Sequence, residues 1–223
     1  HGLEGTGTSN DPIRIKSAED LQTVASWINS TGPGGNAFKI PGTNVVANQA
    51  WYQLDADIDL STLDSPYWTP IGDGYTSTNY HFKGVFIGRG HTISGLNINT
   101  TNSEQGLFGL FSGKICDLTI QDGSVSSTGT TGYVGALIGH MQGGQICNVH
   151  VKRVDVTGKS SVGGLVGYLE CPTPYPIICC SSFEEGTVRA TGNFAGGIVG
   201  RAGYNSGTFT LTRSWCTAHS VSA

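Results

Sequence analysis

Apolar residues along this chain recur in two phased registers. The first is a glycine-bounded tetrad: Gly106-Leu107-Phe108-Gly109, Ala136-Leu137-Ile138-Gly139, Gly164-Leu165-Val166-Gly167 and Gly197-Ile198-Val199-Gly200, with starts that advance by 30, 28 and 33 residues. The second is apolar at positions 0, 3 and 5: Ile93/Leu96/Ile98, Ile115/Leu118/Ile120, Ile146/Val149/Val151, then Ile178/Ser181/Phe183 and Leu211/Ser214/Cys216. Positions 3 and 5 share one face of a strand, and the 0-to-3 step breaks that alternation and implies a bend. A third run, such as Val154 to Val156, lies between the registers. Each unit therefore reads as three short strands. One unit cannot bury its apolar face alone, whereas stacked units share a continuous core. The expected fold is all-β: a parallel β-helix (β-solenoid) of about six coils, three strands per coil, right-handed by analogy with other parallel β-helices.

Upstream the pattern is less regular. Ile58 and Leu60 occupy the places that Leu96 and Ile98 take in the next unit, and 82–88 reads as that coil's last strand. Ser17 is an N-cap residue with Asp20 three positions on, and Leu21, Val24, Ala25 and Ile28 form a helical stripe. A helix over 17–29 is expected to cap the open end of the solenoid, since bare edges recruit other chains. The division is thus a cap over 1–50 and coils over 51–223. No comparable cap precedes Ala223, so the coils are expected to continue in a longer protein, and end-to-end self-association is expected at that end.

The 34 glycines fit many tight turns, and 37% hydrophobic residues permit a real core. Charged residues are 13% and the net charge is −4, which argues against nucleic-acid partners and membrane-surface binding. No apolar stretch is long enough to predict membrane insertion. The six cysteines lack zinc-site spacing. Cys116, Cys147 and Cys179 fall at one repeat position and should stack as a thiol ladder, strand spacing exceeding the usual Cβ separation of a disulfide. No catalytic motif surrounds any of the six histidines, and His1 is a candidate copper ligand only if it is a native N-terminus.

The tetrads resemble the GLUG repeat of bacterial surface proteins. The resemblance extends through 54–60, Trp68-Thr69-Pro70-Ile71-Gly72, 82–86 and Gly90-His91-Thr92-Ile93-Ser94-Gly95-Leu96, covering roughly residues 10 to 215. Ile87 departs from it, where relatives usually carry Asp. The resemblance implies a secreted or cell-surface β-solenoid, often adhesin-like, and brings no catalytic residues with it. The expected function is a non-enzymatic surface module presenting loops to glycans or host surface proteins. The alternatives are a polysaccharide-degrading β-helix enzyme, which rests on fold analogy alone, and a structural spacer in a larger protein.

Three groups are candidate sites. The loop 73–81 combines aromatic faces with hydroxyls and amides, making Trp68, Tyr75, Asn79 and Tyr80 candidates for glycan binding, against a plain solvated loop. Asp55, Asp57 and Asp59 alternate along one expected strand and could hold calcium, against a solvated face or bonds to turn amides. No other cofactor is expected. Cys171, before the proline-stiffened loop 172–176, could bridge to Cys179 or Cys180 as a structural staple.

Overall fold

The computed structural model describes residues 2–203 and 207–223, so His1 lies outside the described residues. Strands of successive coils pair in parallel throughout, building a β-solenoid of about five turns. A middle coil shows the plan. Its strand Gln145–Gly158 is followed by Ser161–Gly163 and Val166–Glu170, each in its own sheet. The coil thus has three strands, divided differently from the sequence expectation: triad and third run merge into one long bent strand, and 161–163 is an added strand.

The bends in that long side come from single left-handed residues. Asp117, Asn148, Cys180 and Arg213 line the first corner, and Asp122, Arg153 and Glu185 the second, all at φ between 47° and 57°. Each corner residue turns the chain and shifts the inward alternation by one step, which is the 0-to-3 interval. Because there are two such corners, the 0-3-5 pattern occurs twice per coil, and the structure differs from the expected register at two units, those of Ile58 and Ile93. Ile93 pairs with Ile120, not Ile115, and Ile58 pairs with Ile93. The partner of Ile115 is Phe86, so Val85–Ile87 opens a coil rather than closing one.

Three apolar columns result. Ile13, Tyr52, Phe86, Ile115, Ile146, Ile178 and Leu211 form the first. Ile58, Ile93, Ile120, Val151, Phe183 and Cys216 form the second. Ile98, Val125, Val156, Val188 and Val221 form the third. The tetrads close the core from the opposite wall, where Phe108, Ile138, Val166 and Val199 are in register. Close approach requires glycine there: a Cβ on Gly164 would lie 2.1 Å from the Gly197 carbonyl oxygen and 2.4 Å from the Phe183 ring.

The helix spans Ala18–Ile28, and the Ser17 hydroxyl accepts the Asp20 N–H at 3.2 Å. Its stripe of Leu21, Val24, Ala25 and Ile28 is buried over the first coils. The segment 1–50 also supplies the first rung of the long sheet, Ile13–Ile15. Asn29 ends the helix and ties it to a coil turn, donating to the Pro70 carbonyl at 2.8 Å and accepting from the Gly72 and Asp73 N–H groups at 3.0 and 2.9 Å. Among the described residues no helix is long and apolar enough to cross a membrane.

Candidate functional site

The Asn29 clamp fixes the strip 65–73 against the helix, and the strip carries an aromatic ridge. Tyr67 is 51% exposed. On one side lies a groove of about 350 Å³ lined by Gln22, Ser26, Asn29, Ser30, Ser65 and Thr69. On the other, a groove of about 160 Å³ is lined by Asn99, Thr100, Asn102, Gln105 and one carboxylate, Asp73. Tyr67 and Trp68 border both. Side-chain amides and hydroxyls offer paired donors and acceptors, and the tyrosine supplies an apolar face.

Trp68, expected to offer a stacking surface, is instead buried to 6% exposure, its Nε1–H donating to the Leu107 carbonyl at 3.2 Å. It anchors the ridge, and Tyr67 presents the free ring. Tyr75 is 56% exposed at the tip of the 73–81 loop. Asn79 is exposed and caps inward through its backbone: its carbonyl accepts from Asn48 Nδ2 at 3.3 Å. The Tyr80 hydroxyl lies 3.5 Å from Thr31 Oγ1, tying the loop to the cap. Tyr75 and Asn79 are thus presented, and Tyr80 is partly engaged.

The three aspartates do not share a strand. Trp51–Leu54 ends before Asp55 and Ile58–Asp59 begins after Asp57, so their side chains diverge. Asp55 accepts from Gln53 Nε2 at 2.7 Å and pairs with Arg89. Asp57 accepts the Thr92 N–H at 3.0 Å and faces His91 Nδ1 at 3.1 Å; these bonds hold its carboxyl below the usual range. Asp59 accepts the N–H and hydroxyl of Ser61 at 2.9 and 2.6 Å. Among the described residues their oxygens do not converge as a calcium cage requires. The expected Cys171 bridge is likewise absent: Cys171 is buried, and the thiols that gather are Cys147, Cys179 and Cys180.

One cluster lies outside the sequence-based expectations. His140 is 7% exposed, with Nδ1 3.2 Å from Glu104 Oε1 and Nε2 2.8 Å from Glu170 Oε1. The carboxylates come from the coils before and after, 36 and 30 residues away. Tyr133 and Tyr168 pack on the imidazole at 5.3 and 5.2 Å, and the Arg201 guanidinium lies over Tyr168 at 5.6 Å. Glu104 has φ 61°, and its Oε2, like His81 Nε2, is buried without a hydrogen-bond partner. The phase of the tetrads, which places Leu110, His140, Tyr168 and Arg201 in one column, is the signal that could have found it. A further groove of about 490 Å³ runs along the corner between walls beneath the 172–176 loop, with Lys83, Lys114, Gln145 and the half-exposed Tyr175 on its sides.

No family model matches the chain. Its sequence is 32% identical over 170 residues to Halomucin of Haloquadratum walsbyi, an alignment covering 73% of this chain and 2% of halomucin. In three dimensions it is similar to a Bacteroides ovatus protein proposed to be an immunoglobulin A1 protease, with a TM-score of 0.70 at 21% identity over 97% of this chain and 61% of that one. The chain therefore corresponds to a small part of halomucin and less than two thirds of the solved chain, and the structural likeness is one of fold.

Proposed function

We propose that this chain is a non-enzymatic module of a secreted or cell-surface protein, a GLUG-type solenoid that recognises glycans on its side. The observation that carries the reading is the exposed Tyr67 ring standing between two grooves lined mainly by neutral amides and hydroxyls. Sugar rings present an apolar face and a rim of hydroxyls, and aromatic planes with amide partners match both. The solenoid supplies a rigid scaffold for such a surface, and the likeness to a segment of halomucin supports placement outside the cell. Tyr75 presents a second exposed ring on the 73–81 loop. The corner groove and the two grooves beside the ridge set no two carboxylates face to face, the arrangement that glycoside hydrolysis needs.

A glycan-array screen with the purified chain and its Tyr67→Ala and Tyr75→Ala variants tests this. Specific retention of one saccharide class, weakened about tenfold or more by Tyr67→Ala, is the expected outcome, since loss of one stacking face is worth about 1–2 kcal/mol. A folded chain that retains no glycan overturns it.

A further inference from the structure

The glycan reading leaves the cysteines unused, and three of them meet. Cys116, Cys147 and Cys179 are register partners in successive coils, and Cys180 occupies the left-handed corner beside Cys179. The sulfurs of Cys147 and Cys179 are 2.6 Å apart, and that of Cys180 lies within 4.8 Å of both. All three residues are partly exposed, so a soluble oxidant reaches them.

The sulfur separation decides between two chemistries. Thiolates sharing a tetrahedral zinc at about 2.3 Å from the metal stand about 3.8 Å apart. A disulfide bond is about 2.05 Å long. The observed spacing is much nearer the bond, and a small rotation about the two Cα–Cβ bonds closes the remainder. We infer that Cys147 and Cys179 form a disulfide that staples two successive coils of the long sheet. This departs from the thiol ladder that uniform strand spacing implies, because these side chains lean together rather than standing parallel.

The reaction balances against an external disulfide. A Cys147 or Cys179 thiolate attacks it and releases one thiol, and the second protein thiolate then resolves the mixed disulfide and releases the other. Two protein thiols lose two electrons and two protons, and the external disulfide is reduced to two thiols. Cys180 is near enough to compete, and a Cys147–Cys180 bond is the rival product. The staple closes a loop of 32 residues in sequence separation and restricts the opening of one coil from the next. A module working outside the cell meets the oxidising conditions that keep such a bond.

The test is independent of glycan binding. The full chain is treated with oxidised glutathione, free thiols are alkylated, and peptides are mapped without reduction. Linked peptides containing Cys147 and Cys179, with Cys116 alkylated, are expected, and the same link should form in Cys180→Ser. Reduction should shorten the proteolytic half-time of the 145–190 region about tenfold or more in the oxidised chain and leave Cys147→Ser unchanged. Full alkylation of Cys147 and Cys179 after oxidation overturns the proposal, as does a predominant Cys147–Cys180 link. Stoichiometric binding of zinc that shields all three thiols from alkylation overturns it too.

Discussion

His81 closes the 73–81 loop over the tetrad wall, and burial, with the Lys83 ammonium adding to it, pushes its imidazole pKa down from 6.5 to about 4. The folded state therefore prefers the neutral ring. Between pH 6.5 and 4 the unfolded chain binds the extra proton, so this contribution is complete above pH 6.5 and is lost as the pH falls towards 4. Its size is about 2 kcal/mol once partial exposure is allowed for. Urea denaturation at pH 7.5 and 4.5 should show a smaller loss of stability in His81→Phe than in the parent chain; equal losses would remove His81 from the account. Asp57 acts in a separate window, since its lowered pKa makes itself felt only below about pH 4. His140 is a matter of pairing. Replacing it by Leu leaves Glu104 and Glu170 in their sheltered positions without their shared partner, at a cost of about 2 kcal/mol, while Gln, which keeps a donor, should cost less. The urea midpoints of the two variants give the comparison.

The coil is shaped at its corners. Asn148 sits at φ 56° and donates from Nδ2 to Asp117 Oδ1, the corner residue of the preceding coil, at 2.9 Å. One corner further on, Arg153 Nε and Nη2 reach Asp122 at 2.6 and 3.1 Å, and Nη1 lies 3.6 Å from Glu185. Corner residues of successive coils thus bond to one another while they turn the chain. A β-branched residue is poorly suited to a left-handed corner, so Asn148→Val should cost about 1–3 kcal/mol by thermal or urea denaturation. Asn148→Gly, which relieves backbone strain and loses the bond to Asp117, should fall within about 1 kcal/mol of the parent. Equal costs for the two variants would show that the corner does not constrain the backbone.

At the scale of the whole molecule, each coil is held by its neighbours, so stability varies along the stack. Coils between 114 and 190 have partners on both sides, whereas Thr210–Thr212, Trp215–Thr217 and Ser220–Ser222 each pair on one side. Leu211 and Val221 are 43% and 44% exposed, where their counterparts Ile178, Ile146, Val188 and Val156 in earlier coils are buried. Hydrogen exchange of this isolated chain should therefore be at least tenfold faster in 210–222 than in 145–158. Uniform protection along the chain would exclude this gradient. If two copies meet through this end, protection of 210–222 rises with protein concentration while that of the cap helix does not.

Stacked parallel coils, a helix from Ala18 to Ile28 and the inward positions of the tetrads were legible in the sequence, because each follows from local periodicity repeated in phase. Register was harder to read. A 0-3-5 pattern repeated twice per coil fits Ile93 opposite either Ile115 or Ile120, and only the extra corner formed by Arg89 and Gly90 decides. The sites were less legible still. Trp68 reads as a surface aromatic until the strip 65–73 folds back and hands its indole to Leu107. Glu104, His140 and Glu170 are far apart along the chain, and Cys147 and Cys179 acquire their 2.6 Å separation only when two coils stack. Spacing along a chain records which face a side chain takes. Which neighbour it meets across the gap between coils depends on corner geometry and side-chain rotation, and these exist only in the folded stack.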